Sequence, residues 1–331
     1  MGSVLISIDA ELAWGFHDLD QPPVERVQNA RWGWRRLLEL LDAYEVPATW
    51  GVVGHLLLER CDGRHAGHPA ARDGWFDRDP GGRATTHDHW FGMDLVNAVR
   101  DADVEHELGC HSFSHACFDP EVTDRAVAEA ELAACLTAAR DRGLSFDSFL
   151  FPRNDIGYTE LLAEYGFSCY RGRSPAQWYD RPWLYPIGKF ASYTAGMTPP
   201  PLVTPEVDEN GIVNVPGSLC LFSFEGLARS IVEPVVGDPV VRKAALGIDA
   251  AAAGDGICHL WLHPNDLTTP RRVARLRRIL EIIDERRRES DLRVETMRAV
   301  ARRTKRRAAD GYRSEPALEA AKPERSVQRI R

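Results

Sequence analysis

His111 and His115 stand four residues apart in Gly109-Cys110-His111-Ser112-Phe113-Ser114-His115, directly after a run at 104–108 that reads as a short strand. Two imidazoles at that spacing, where a strand hands over to a helix, can aim ring nitrogens at one cation. Alone the pair is weak evidence. Asp9 and Glu11 close the first apolar run of the chain, and His263-Pro264 follows another at 257–262. Together these supply two neutral nitrogen donors, one carboxylate donor, a spare carboxylate and a spare imidazole. That is the inventory of a mononuclear metallohydrolase.

Such residues act together only if the fold gathers them at one end of its strands. Strand-like runs are expected at 4–8, 48–53, 104–108, 148–151, 167–170 and 257–262. Helices are expected at 29–44, 94–101, 122–142, 159–165, 238–253, 270–288 and 296–307, from apolar positions recurring at helical spacing. Strand and helix alternate, and the chemistry-bearing residues fall just after strands. This is the pattern of a parallel α/β barrel with its site at the C-terminal strand ends. Residues 60–92 and 173–216 are irregular and read as loop insertions in a single domain, 1–307, followed by a mobile charged tail, 308–331.

The 331 residues carry a net charge of -8, with 27% charged and 44% hydrophobic residues, as in an ordinary soluble domain. Residues 301–331 are net +6 and the rest -14, so the body repels polyanions and no nucleic-acid partner is expected. Seven cysteines without a Cys-x-x-Cys fit a reducing compartment better than a disulfide framework. No apolar run reaches membrane-spanning length, and the first strand begins at once with no leader-like segment. The expectation is a cytoplasmic chain with no membrane partner; the oligomeric state is left open.

The motifs resemble those of the polysaccharide deacetylases, the NodB homology domains of carbohydrate esterase family four. Ile8-Asp9-Ala10-Glu11 sits where that family has a paired acidic motif, and His111-Ser112-Phe113-Ser114-His115 is close to its histidine motif. Residues 48–54 resemble its second strand. Phe151-Pro152-Arg153-Asn154 sits where an Arg and Pro motif lines the groove, and Leu262-His263-Pro264 matches the closing motif. The resemblance implies a distorted (β/α) barrel over roughly residues 3 to 300. Two departures stand out: the acidic pair is Asp9-x-Glu11 rather than Asp-Asp, and the third motif reads Pro-Arg.

Resemblance and spacing agree on Glu11, His111 and His115 as ligands of one divalent ion, with zinc first and cobalt or nickel also accepted by mixed N/O ligation. Strand alternation would put residues 9 and 11 on one side. The resemblance implies Asp9 as general base, His263 as the acid that protonates the leaving amine, and Arg153 as the partner of Asp9. The expected activity is a metal-dependent amide hydrolase, an N-deacetylase of an N-acetylated sugar or another acylated-amine small molecule or glycan. Alternatives are a non-sugar linear or cyclic amide on the same fold, or a catalytically silent carbohydrate-binding homologue. Substrate-contact candidates are Trp14, Trp90, Phe91, Pro152, Asn154 and Trp261, with His259 on the side of the strand that carries Trp261 and His263. A minor reading places a second metal among His65, His68, His87 and His89.

Overall fold

The alternation of β1 (Ser3–Ala10), buried along its whole length, separates two environments. Val4, Ile6, Ile8 and Ala10 enter an apolar cluster with Trp34, Leu37, Leu276 and Ile279. Leu5 points the other way, into a second cluster with Leu150, Val213, Val215 and Met297. Ser7 and Asp9 continue on the Leu5 face, so one face of this strand runs from apolar to polar to charged toward its C-terminal end. The computed structural model describes residues 1–314 apart from 182, 184, 195–197, 225–232, 235 and 236.

After β1 come α1 (Val24–Ala43), β2 (Thr49–Val52), β3 (Arg60–Cys61), β4 (Gly82–Arg83), α2 (Met93–Arg100) and β5 (Glu107–Cys110). The middle of the chain forms α3 (Arg125–Asp141), β6 (Ser148–Leu150), α4 (Thr159–Glu164), β7 (Cys169–Gly172), α5 (Tyr185–Thr194), β8 (Glu206–Val207), β9 (Val213–Pro216) and β10 (Leu219–Cys220). The last part is α6 (Pro239–Ala253), β11 (Ile257–Leu262), α7 (Pro270–Glu289), β12 (Arg293–Glu295) and α8 (Met297–Ser314). The main sheet runs β10-β11-β1-β2-β5-β6-β7-β9-β8, with β12 also on β1. Its pairings are parallel except β8 with β9.

This sheet must curl. β1 and β7 are four strand spacings apart, about 19 Å on a flat sheet at ~4.8 Å per strand, yet Arg171 on β7 reaches Asp9 on β1 at 2.6 Å. The gap between the two ends is spanned by one stretch of chain. Residues 213–216 pair with β7, the Gly217 amide donates to the Gly172 carbonyl, the Ser218 amide to His259, and Leu219–Cys220 pair with β11. A bent strand therefore joins β7 to β11 and completes a distorted barrel. The expected irregularity of 173–216 is thus corrected: it holds α5, β8 and β9. Four-residue strands broken by Pro216 and Gly217 carry too little periodicity to read as strands.

α8 closes the N-terminal end of the barrel, placing Met297, Val300 and Ala301 against Leu5 and Val213. Buried Glu107 caps it: its carboxylate accepts the Arg298 amide at 2.9 Å and the Thr49 hydroxyl at 2.8 Å, and Thr49 accepts the Met297 amide. The helix runs on past Arg307 to Ser314, so the expected tail boundary at 308 falls inside it. Residues 315–331 of that tail lie outside the described residues. Among the described residues no helix is long and apolar enough to cross a membrane.

Candidate active site

Asp9 and Arg171 form the most constrained pair at the C-terminal end of the barrel. Two guanidinium nitrogens meet the two carboxylate oxygens at 2.6 and 2.7 Å, a bidentate ion pair with both residues buried. Burial works against the charge on Asp9, but the Arg171 guanidinium outweighs it and holds the carboxyl below its usual range. Arg171 also lies over the Trp261 ring, 4.8 Å from its centroid, and donates to the Asn154 side chain at 3.0 Å. The expected partner, Arg153, is corrected: it pairs with Asp18 at 2.5 Å instead. A left-handed turn, φ 56° at Arg153 and 57° at Asn154, carries Arg153 to Asp18 and leaves Asn154 facing Arg171.

Glu11, His111 and His115 come together beside this pair. Glu11 Oε2 lies 3.6 Å from His111 Nε2 and 3.1 Å from His115 Nε2, and their ligand atoms lie within 4.8 Å of one another. Glu11 reaches this place by a different route from the one expected. β1 ends at Ala10, and Glu11 has helical backbone angles at the head of a 3-10 turn, Leu12–Phe16. Gly15 leaves room for it, since a Cβ there would lie 2.1 Å from the Glu11 carboxylate. Buried Glu131 on α3 fixes the histidine loop, accepting the Phe113 and Ser114 amides at 2.8 Å and the Ser114 hydroxyl.

The donor set fits a divalent cation. His111 Nδ1–H donates to the Leu150 carbonyl at 2.8 Å, which leaves Nε2 as a bare lone pair. That Nε2 is buried without a hydrogen-bond partner and faces a carboxylate that can only accept. Two imidazole nitrogens and one carboxylate oxygen are the three-ligand complement of a catalytic zinc site.

His263 follows β11. Its Nδ1 lies 3.1 Å from Asp266, and its Nε2 lies 3.6 Å from Asp9 and 4.0 Å from Glu11. Burial disfavours its charge, but Glu11, Asp266 and Asp9 push its pKa up to about 9. Asn265 donates to Glu11 at 3.1 Å, and Arg26 holds Asn265 and Asp266 from behind. A cavity of about 360 Å³ opens over these groups, lined by Asp9, Glu11, His111, His115, Asn154, Trp261 and His263 with Phe16, Arg26 and Arg153 among its walls.

Other candidates lie elsewhere. Trp14 is fully buried and packs on His55, Phe76 and Trp90, and Phe91 is equally buried, so neither offers a ring to substrate. Pro152 is buried at the start of its turn, and half-buried Trp90 stands edge-on to Trp14 outside the cavity wall. Aromatic type alone did not separate core from wall. His259 is neutral: burial and Arg171 take its pKa down to about 3, and it links Ser7 at 2.8 Å to the Pro216 carbonyl at 2.9 Å. The sequence does not single out Arg171 or Glu131. The signal for Arg171 was a lone arginine at the end of an apolar strand; Glu131 had none beyond its place on the apolar face of α3.

No family model and no curated protein matches this chain. Solved structures do match. A protein from Mycobacterium smegmatis described as a polysaccharide deacetylase superposes with TM-score 0.58 at 18% identity, over 99% of this chain and 94% of that one. PuuE allantoinase gives 0.55 at 14% identity, over 91% and 89%. A protein from Pseudomonas aeruginosa PAO1, also described as a polysaccharide deacetylase, gives 0.53 at 14%, over 92% and 91%. At such identities the likeness establishes the fold, which is that of the polysaccharide deacetylases.

Proposed function

We propose that this protein is a metal-dependent amide hydrolase of the polysaccharide deacetylase type, releasing acetate from a small N-acetylated sugar. The observation that carries this reading is the convergence of Glu11, His111 and His115 in one cavity with an arginine-clamped carboxylate and an acid-paired imidazole. Glu11, His111 and His115 would hold a divalent ion, zinc first. When bound, such an ion polarises the acyl carbonyl and makes water acidic enough to attack near neutral pH. Asp9, kept ionised by Arg171, accepts the proton of the attacking water as general base. His263, oriented through Nδ1 by Asp266 at 3.1 Å, returns a proton to the departing nitrogen. Arg171 orients Asp9 and braces Trp261, whose ring forms one wall of the cavity.

The cavity, about 360 Å³, is near the lower end of ligand pockets. It suits one sugar ring or a compact cyclic amide. That size also favours a second reading, hydrolysis of a small non-sugar amide or ureide on the same barrel. A panel of N-acetylated sugars, nucleotide sugars, acyl amines and cyclic ureides, assayed with zinc and with Asp9→Asn as control, tests both. Acetate release from the N-acetylated sugars supports the first. Turnover of ureides with none of N-acetyl sugars replaces it with the second, and no turnover of any amide refutes both.

A further inference from the structure

Outside the cavity, His55, Cys61, His65 and Asp79 point their ligand atoms at one another, all within 4.8 Å. They come from the long connection after β2. His55 sits in the 3-10 turn Gly54–Leu57, Cys61 in β3, His65 just beyond, and Asp79 shortly before β4. Asp79 Oδ2 lies 2.6 Å from His65 Nε2, 3.3 Å from His55 Nε2 and 3.3 Å from Cys61 Sγ. Tetrahedral zinc, with bonds of about 2.0 Å to N or O and 2.3 Å to S, sets its ligands roughly 3.3–3.6 Å apart. Two of the three separations already match, and the third needs only a small opening.

The surroundings point to a ligand rather than to a self-contained hydrogen-bond network. His55 is fully buried, and its Nδ1–H donates to the Trp90 carbonyl at 3.2 Å, so its Nε2 is a lone pair aimed at the cluster. That nitrogen has no hydrogen-bond partner. Asp79 is set in the same way: Oδ1 accepts the Gly81 amide at 2.9 Å, which turns Oδ2 inward. His65 is held in a left-handed conformation, φ 46°, by a turn in which Asp62 accepts its amide at 3.1 Å. The His55 ring and the Asp79 carboxylate are thus oriented from behind, and the Asp62 turn fixes the backbone that carries His65. Among the described residues the strand pairing of this connection is limited to the two-residue ladder of β3 with β4, and the rest of its order comes from short 3-10 turns and the buried side chains of Leu56, Leu57, Ala70 and Phe76.

We infer that His55, Cys61, His65 and Asp79 form a second, structural metal site that takes zinc. Two imidazoles, one thiolate and one carboxylate complete a tetrahedral shell, with no position left for substrate. Binding releases the Cys61 thiol proton to solvent; thiolate and carboxylate together then neutralise the 2+ charge. The sulfur ligand excludes magnesium and calcium in favour of zinc or cobalt. This replaces the minor reading from sequence. His65 belongs to the cluster, but His68 pairs with Glu131 at 3.4 Å, and His87 and His89 take no part.

Cobalt alone, added to chelated full-length protein, tests this. Wild type should take up two cobalt ions per chain and show a thiolate-to-cobalt charge-transfer absorption. The Glu11 cluster contains no sulfur, so His111→Ala should lose one ion and keep the band, whatever becomes of the proposed activity. Cys61→Ala should lose the band; should that variant not fold, His65→Asn should weaken it. A wild-type protein without the band, or a band that survives Cys61→Ala, overturns the site.

Discussion

Among the described residues two histidine–carboxylate clusters have ligand atoms close enough to share one ion, and they differ in how they are built. The first stands at the C-terminal ends of barrel strands and contributes three donors to an open cavity. With one carboxylate it would leave a bound dication net positive, as an electrophilic site requires. The second is set in an irregular connection, has four donors including a thiol, and leaves a bound dication neutral. Donor count, charge and access, rather than the mere presence of histidines, separate a site built for chemistry from one built to order a loop.

The largest effect expected is also the sharpest division between them. Asp9→Asn should lower kcat by roughly a hundredfold to ten-thousandfold while leaving the metal content unchanged, because a base and not a ligand is removed. Asp79→Asn should do the reverse: most of the turnover of the folded protein remains, while Tm falls and loses the loop cluster's share of its response to zinc. Steady-state kinetics with metal analysis and thermal melts would check both. If Asp79→Asn matched Asp9→Asn in lost turnover at unchanged Tm, the division would collapse.

An intermediate effect concerns acid stability. His259 has a folded pKa of about 3 against about 6.5 unfolded, since burial and Arg171 oppose its charge. Between those values the unfolded chain binds a proton that the native barrel does not, so this contribution to stability falls as pH drops through the window. The loop cluster adds its own acid sensitivity, because protons compete with metal for His55, Cys61 and His65. Melting from pH 7 to 4 should fall less steeply in His259→Gln, whose amide can replace both hydrogen bonds of the neutral ring. With zinc removed, the loop's share should vanish while the His259 share persists. An unchanged slope in His259→Gln would locate the barrel's acid sensitivity elsewhere.

The smallest effect should come from the end of the chain. Ending it after Arg307 keeps the docked turns of α8 with Met297, Val300 and Ala301 and removes residues 308–331, of which 308–310 are exposed. Stability should change by no more than about 0.5 kcal/mol, as at other exposed positions. A large fall in Tm would mean that the end of the helix belongs with the barrel in this comparison.

How far each region was readable from sequence follows the same division. Regular strands and helices were readable because their period is local: β11 falls on its expected residues and α3 and α7 lie within three residues of expectation, whereas α1 starts five residues early and β5 overlaps its expected run only at 107–108. Asp9, Glu11, His111, His115 and His263 were readable as motifs of short spacing. Arg171 was not, because its pairing with Asp9 depends on a curl that brings β7 across to β1. The loop cluster was only glimpsed. His55 lies just past the expected strand 48–53 and Cys61 is one of seven scattered cysteines, so only the folded connection brings them to His65 and Asp79. Contacts between residues far apart in sequence, made by short or irregular segments, leave no periodic trace.

The central claim is tested most directly by removing and restoring metal while following acetate release from an N-acetylated sugar. Protein stripped by a chelator should hydrolyse no amide. Zinc should restore turnover in wild type but not in His111→Ala, and Asp9→Asn should take up the same metal without regaining activity. Full amide hydrolysis by metal-free protein, or by His111→Ala, would contradict the account.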